Sequence, residues 1–587
     1  MQPPSSRFYE FGPFLVDSVK RVLLRAGEPV PLPPKAFDTL LVLVLHAGEV
    51  LEKDRLMDLL WPDSAVEEAN LPLNISALRK ALGETPSERG YITTIPGRGY
   101  RFAAEMQVVG AEEPDLILEG RPHEQGTSGV RSIAVLPFKP LISDQRDEFL
   151  ELGMADALIT KLSNIRQIIV RPTSSVRKYM MPEQDPVAAG RELRVEAVLE
   201  TSIQLVGDRL RVTSRLFRVG DGSSLWAGKF DERFDDILAV QDRVSEQVAR
   251  ALIPKMTGEE RKLLAKHDTQ NTEAYRLYLK GRYHWNKRTE EGFRQGIEYF
   301  ERAIDKDPGY ALAYSGLADC YSLLGDFLIL QPSEAYPKAK AAAERALETD
   351  GTLAEAHVSL ASLLLMNDWN WSGAGRALRR AIEINPNNPV AHDWYGAFFM
   401  LMGRWDNAIA ETKLAEELDP LSPVINTHLG SIFYFARQYD RAIERFQESL
   451  EMDPSYIQAH IGLGLAYQQT RRLSESVEVF RNARLLYDTP PMLALLGTTY
   501  ALSARTADAR EVVKQLTQLA THRYVSPYVI APIYACLGES DTAFQCLEKA
   551  YRERSGGILW LKIDPTLQSL HSDPRFINMV RRIGIPQ

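Results

Sequence analysis

The C-terminal half of the chain is patterned for helices, and the pattern itself repeats. Glycine stands at Gly396, Gly430, Gly464 and Gly497, and proline at Pro386, Pro420 and Pro454, at intervals of 33 or 34 residues. Ala381, Ala415 and Ala483 hold one register of the second helix in each block, with Ser449 in the remaining slot, and Asn-Pro or Asp-Pro closes the block. Small residues at that register let two helices approach, and proline cannot continue a helix, so each block reads as a helix pair ended by a turn. Working outward through Gly281, Pro308 and Asp350-Gly351, about eight such units are expected over 274–557, with 558–587 as a capping segment.

The first hundred residues carry a different pattern. Short strands are expected at 8–11, 14–17 and 22–25, followed by helices from about Lys35, at 53–60 and at 70–82. A hairpin of 91–95 and 100–102 closes the unit through Pro96-Gly97-Arg98-Gly99, where glycine allows the positive backbone angles of a tight turn. On the third helix Leu71, Ile75, Leu78 and Leu82 form one apolar stripe, which leaves Leu73, Ser76, Ala77 and Lys80 on the opposite side and Asn74 and Arg79 at the margins. Asn70 is the expected N-cap, and Pro72 sits in the first turn, where a missing N–H costs little.

Between these regions, 111–129 mixes Pro, Gly, Ser and charges without either period and reads as part of a linker over 105–130. Residues 131–254 then run strand (132–137), helix (147–162), strand (167–171), a helix near 186–193, two alternating strands around Gly207-Asp208, a strand over 224–230 and an amphipathic helix. That order predicts an α/β sheet with an antiparallel portion. A polar stretch over 255–272 separates it from the repeats. The fold class is therefore multidomain α+β, in three regions: 7–104, 131–254 and 274–557.

Composition narrows the function. A chain of 587 residues with 45% hydrophobic and 25% charged residues buries several cores. Its net charge of −9 confines any nucleic-acid contact to a local basic patch. Three cysteines are too few for a disulfide framework and lack zinc-site spacing, which fits a reducing compartment. No stretch reaches the roughly 18 apolar residues of a membrane span, so a cytoplasmic protein is expected.

Candidate chemistry is sparse. No nucleophile elbow, His-Glu-x-x-His or kinase block is present, so no catalytic residue, cofactor or metal is assigned and an enzyme is not expected. Gly222 to Lys229 (GSSLWAGK) superficially resembles a phosphate-binding loop. It carries one residue too many between the glycines, has Phe230 where Ser or Thr would hold magnesium, and lacks a following helix. Trp226 and Phe230 read as strand core. His357, His392, His428 and His460 do not form a metal ladder: three of them share a packing register, and a full repeat separates each from the next.

The repeat period and registers resemble the tetratricopeptide repeat, which implies a superhelix with a groove for a protein or peptide. The blocks Leu32-Pro33-Pro34-Lys35-Ala36-Phe37, Leu56-Met57-Asp58-Leu59-Leu60-Trp61, Asn74-Ile75-Ser76-Ala77-Leu78-Arg79-Lys80-Ala81-Leu82 and Ile92 to Phe102 resemble the winged-helix output domain of OmpR/PhoB-type regulators and their CadC/ToxR-like relatives. SIAVLPF, VLETSIQLVGDRLRV and LWAGKFD resemble the TolB-like N-terminal domain, apart from Thr201 where a glycine is common. The winged-helix resemblance implies that helix 70–82 enters the major groove while the wing, 91–102, approaches the backbone or minor groove through Arg98. The DNA-binding residues it implies are Leu73, Asn74, Ser76, Ala77, Arg79, Lys80, Thr94, Arg98 and Arg101. Ala77 stands where many relatives have arginine. No phosphoacceptor receiver precedes the winged helix and no membrane span follows it, so input is expected through the other domains.

Electrostatics agree in sign: from Asn70 to Arg101 five basic residues face two acidic ones. So modest a patch implies a shallow salt dependence and favours two copies on tandem half-sites. The expected function is a sequence-specific, one-component transcriptional regulator governed by protein or ligand binding to the repeats, an architecture that also admits an RNA polymerase contact. The alternative is a repeat scaffold that uses its winged helix for localisation or protein contacts.

Overall fold

The computed structural model describes residues 8–586 except 18–21, 26–27, 49, 61–69, 85–89, 96–97, 105–106, 110–129, 141–147, 181–184, 207–208, 234–236, 254–255 and 328. Trp61, the Pro96-Gly97 turn, the Gly207-Asp208 turn and most of the expected linker lie outside the described residues. Two compact units result, divided at Gly120 and Arg121.

The N-terminal unit begins with β1 (Phe8–Phe11), β2 (Phe14–Asp17), β3 (Val22–Arg25) and β4 (Glu28–Val30). Next come α1 (Pro34–Leu45), β5 (Val50–Glu52), α2 (Lys53–Leu60), α3 (Asn70–Ala81), β6 (Ile92–Ile95), β7 (Gly99–Phe102) and β8 (Gln107–Val109). The first sheet runs β4-β3-β2-β1-β8, so β8, which falls within the expected linker, adds a fifth antiparallel strand beside β1. The second sheet runs β5-β7-β6. Their shared core is aromatic: Phe11 meets Phe102 edge-on at 4.9 Å, and Phe14 and Tyr91 pack against it. Lys35 at the start of α1 donates to the Leu60 carbonyl at 2.7 Å, placing a cation on the last turn of α2.

The second unit opens with an α/β layer: β9 (Ser132–Val135), β10 (Lys139–Pro140), α4 (Glu148–Ser163), β11 (Ile169–Val170), α5 (Thr173–Val176), α6 (Pro186–Glu192), β12 (Ala197–Val206), β13 (Arg209–Arg218), β14 (Ser224–Arg233) and α7 (Ile237–Leu252). Strand order is β11-β9-β12-β13-β14; the first two pairings are parallel and the rest antiparallel, and β10 pairs parallel with β12. Thr201 faces Ser214 across the buried β12–β13 pair, 3.1 Å between hydroxyls, so each polar side chain satisfies the other. The polar stretch after α7 is not extended. It folds into α8 (Gly258–Leu264), which Thr257 and Glu260 close with a reciprocal capping box.

Eight helix pairs follow: α9 (Thr272–Asn286) with α10 (Glu290–Lys306), α11 (Ala311–Asp326) with α12 (Pro332–Thr349), α13 (Ala354–Met366) with α14 (Trp371–Ile384), and α15 (Pro389–Leu401) with α16 (Trp405–Leu418). The remaining four are α17 (Pro423–Phe435) with α18 (Tyr439–Met452), α19 (Ile457–Gln469) with α20 (Leu473–Leu486), α21 (Pro490–Leu502) with α22 (Thr506–Leu519), and α23 (Pro527–Cys536) with α24 (Ser540–Arg552). Two 3-10 turns, Gly556–Trp560 and Pro565–Leu570, lead to α25 (Pro574–Ile583). Among the described residues no helix is long and apolar enough to cross a membrane.

The glycine register has a steric cause. A Cβ at Gly430 or Gly462 would lie 2.8 or 2.3 Å from the Phe446 ring, and one at Gly464 would lie 2.4 Å from Phe480. Phe446 of α18 wedges between α17 and α19, which lack a side chain there, and Phe480 of α20 fills the space over Gly464 of α19. Ala381, Ala415, Ser449 and Ala483 are fully buried, and each carbonyl accepts the N–H that ends its helix. Of the three histidines in the packing register only His392 is buried, and His357 and His460 are half-buried; each sets Nε2 within 3.1 Å of the carbonyl six residues upstream, pinning the turn that precedes the helix.

The α/β layer and the array share one core. Residues from Val130 to Cys320 form a single buried cluster. Gly153 on α4 admits α9, since a Cβ there would lie 3.2 Å from Leu279 Cβ. Asp156 accepts from two Arg282 nitrogens, Nε at 2.7 Å and Nη2 at 3.1 Å. Farther along, the layer meets the turns that close the third and fourth pairs. Asn387 donates to the carbonyls of Arg166 and Ile168, and Ser175 donates to Asp419. The C-terminal segment is likewise built in: Trp560 stacks on Phe435 at 5.3 Å, and Trp371 Nε1 donates to the Ile583 carbonyl.

Candidate nucleic-acid interface

Helix α3 carries Leu71, Ile75 and Leu78, and Leu82 just past its end continues the stripe; each is no more than 3% exposed, and the stripe seats the helix on the N-terminal core. On the far side Leu73 is 67% exposed, and Ser76 and Lys80 are exposed. Asn74 lies at the margin, half-buried. Ala77, expected to face outward, is half-buried and packs against the core, because its methyl is too short to clear its neighbours. Asn70 begins the helix, and its side chain lies outside the described residues.

The strands β6 and β7 pair antiparallel from Ile92↔Phe102 to Ile95↔Gly99, and β7 pairs with β5 on its other edge. Gly99 is required there for space: a Cβ would fall 1.9 Å from the Leu51 carbonyl oxygen. The exposed Arg98 therefore projects from a turn held between two strands, its N–H donating to the Ile95 carbonyl at 3.0 Å. Arg101 is half-buried, opposite Thr93 and Val50.

Arg79 and Thr94 are engaged with each other. The Arg79 guanidinium donates to the Ile92 carbonyl at 3.0 Å and to Thr94 Oγ1 at 2.8 Å, and its Nε lies 3.6 Å from Glu84. Glu84 in turn accepts the N–H groups of Tyr91 and Ile92, at 2.5 and 3.0 Å. The sequence reading missed Glu84. It stands just after the helix beside Gly83 in the left-handed region, a spacing that reads equally well as a solvated loop acid. Together these groups form a brace that fixes the end of α3 against the first wing strand, leaving Lys80 and Arg98 as exposed cations without an ion-pair partner among the described residues.

Residues 27–102 match the family described as "Transcriptional regulatory protein, C terminal", and 279–327 and 428–488 match the tetratricopeptide repeat. Three curated relatives show how the likeness is spread. Transcriptional regulator HilA of Salmonella typhimurium is 24% identical over 411 residues, 69% of this chain and 70% of that protein. Transcriptional activator CadC of Escherichia coli is 33% identical over 123 residues, 21% of this chain and 23% of CadC. Putative adenylate cyclase 3 of Rhizobium meliloti is 30% identical over 257 residues, 43% of each chain, so this chain spans under half of that relative. The N-terminal domain is a winged helix of the OmpR/PhoB type, and the helical array is built of tetratricopeptide repeats.

Proposed function

We propose that this chain, with an output domain of transcriptional regulators at 27–102, is a non-enzymatic, one-component regulator that reads duplex DNA through α3 and its wing. The carrying observation is the division of α3 into a buried apolar stripe and an open face of Leu73, Ser76 and Lys80, next to a wing that bears Arg98. Leu73 offers an apolar contact for a thymine methyl, Asn74 and Ser76 offer hydrogen bonds to base edges, and Lys80 and Arg98 take phosphates. Arg101 supports the wing from within its sheet. Arg79 and Thr94 are positioning residues, acting on DNA through the orientation of helix and wing.

Full-length protein titrated with selected duplexes at several salt concentrations tests these roles separately. Lys80→Ala and Arg98→Ala should each weaken binding and lower the slope of log K against log salt by about 1. Arg79→Ala should weaken binding with the slope unchanged, since no phosphate contact is removed. Binding indifferent to Lys80 and Arg98 substitution removes the proposed interface, and a slope reduced by Arg79→Ala makes Arg79 a contact after all.

The α/β layer and the repeats form the input side. Because the layer already covers part of the array and the C-terminal segment another part, a regulating protein partner is expected on the turns and helix ends left open rather than along the whole groove. RNA polymerase contact is expected of the winged-helix unit. Promoter-specific transcript changes on deletion, at sites the protein occupies, distinguish regulation from a scaffold that occupies sites without effect.

A further inference from the structure

Where the α/β layer meets the repeats, a cavity of about 50 Å³ lies between α4, α7, the connection 265–271, α9 and the starts of α11 and α13. Its aromatic wall is Tyr275, Tyr278 and Tyr310, each no more than 4% exposed. The Tyr278 and Tyr310 rings meet at 5.1 Å between centres and 52° between planes. Tyr275 donates to the Gln241 side-chain carbonyl, whereas the Tyr278 and Tyr310 hydroxyls have no hydrogen-bond partner among the described residues. A phenol buried this deeply normally finds one.

The charged groups on the wall are of two kinds. Lys161 and His267 both sit on Asp242, His267 at 3.0 Å, and Lys266 sits on Asp350. Asp268 and Glu355 have no ion-pair partner among the described residues. Arg282, the cation whose charge reaches Glu355, is committed to Asp156. Burial raises the Glu355 carboxyl, and the charges of Asp319 and Asp268 raise it further. The charge of Asp268 acts on Tyr278 and Tyr310 as well, so both acids and both hydroxyls serve one space.

Two carboxylates without counter-charge, beside aromatic faces and phenol oxygens, suit an ammonium group: the oxygens accept its N–H groups and the rings attract its charge. A hard divalent cation would take about six to eight oxygens, and among the described residues no group of three His, Cys, Asp or Glu is placed to hold a metal. The volume limits the rest of the ligand. At roughly 10–15 Å³ for each water-sized group the cavity holds about four, an ammonium with a chain of about three carbons. Leu312 and Leu353 supply apolar wall for that chain. We infer that this cavity binds a small free primary amine as its ammonium ion, the head on Asp268 and Glu355 and the chain against the tyrosine rings. Its occupant would touch the layer and the first three helix pairs at once, and the site stands apart from the DNA reading.

Calorimetric titration and thermal denaturation of the full chain with propylammonium chloride, up to about 50 mM at constant ionic strength, are the test. Saturable binding and a dose-dependent rise in Tm are expected. Propanol, which keeps the chain and lacks the charge, and potassium chloride should give neither. Asp268→Asn and Glu355→Gln should each weaken binding at least about tenfold, and Tyr278→Phe about threefold. The unliganded Tm of the two acid variants should hold or rise, because neither acid has an ion partner to lose. An N-acetylated lysine amide, too bulky for the cavity, should bind more weakly than propylammonium, which separates a free amine from a lysine side chain. Absence of saturable binding, an equal effect of propanol or potassium chloride, tighter binding of the lysine amide, or affinity unchanged in both acid variants overturns the proposal.

Discussion

Asp419 ends the fourth repeat pair 2% exposed, accepts from Ser175, and lies under Arg171, a guanidinium that donates to the carbonyls of Leu193, Arg194, Glu417 and Leu418. Burial pushes the Asp419 carboxyl up to about 6 against the relief from Ser175 and Arg171, and burial also lowers Arg171. The sign follows from linkage. A carboxyl whose folded value lies above its unfolded value of 3.8 binds more protons when folded, so it lowers stability as pH rises between those values and has no further effect above them. Comparing wild type with Asp419→Asn by chemical denaturation should therefore show the variant gaining, relative to wild type, about 1–3 kcal/mol between pH 4 and pH 6, then a constant difference. A constant difference across the whole range would place the charge in water. Glycine makes the opposite point, that missing atoms hold a position: Gly430 was legible as a glycine at the repeat interval, but only the Phe446 ring shows what fills its space.

At the scale of the element, the turn inside each of the third to eighth helix pairs carries a feature no composition signal announces. Trp369, Gly403, Arg437, Arg471, Ala504 and Gly538 all take positive φ, at the repeat interval. Two are glycine; the others hold a left-handed conformation that costs an L-residue about 1–2 kcal/mol. After two of them, Arg471 and Ala504, the next residue is anchored, as Arg472 and Arg505 stack over Tyr467 and Tyr500 at 4.1 and 4.3 Å. Arg471→Gly should accordingly raise stability, by about 1 kcal/mol after the added freedom of the unfolded chain is subtracted, read as a higher denaturation midpoint. The brace at α3 belongs to the same scale. Arg79 was legible as a basic residue at the margin of α3, and its commitment to Thr94 and Ile92 depends on where the wing strand lies.

At the scale of the whole second unit, the α/β layer and the repeats pack into one body, with Arg171 as a stitch between them. Arg171→Ala would leave four carbonyls without their donor and the buried Asp419 without its counter-charge, a loss of about 3–5 kcal/mol. Hydrogen exchange should then show the 166–195 segment and the turns at 385–388 and 417–421 losing protection together, while the far repeats keep theirs. Uniform loss over the array would mean that the contact is not local.

Period and spacing alone determined the helix pairs, α3 with its buried stripe, the hairpin that follows it and the mixed sheet, because these depend on neighbours within a turn or a strand and on which face can leave water. Three things were decided by tertiary structure: which cations face outward, which acids are buried, and how much of the array is covered by its own chain. Arg79 and Lys80 are adjacent and equally basic, Glu417 and Asp419 nearly so in acidity, yet one of each pair is turned inward by a segment distant in sequence. The physical reason is that a charge's role depends on the partner and the water brought to it, and that is settled only when remote elements pack.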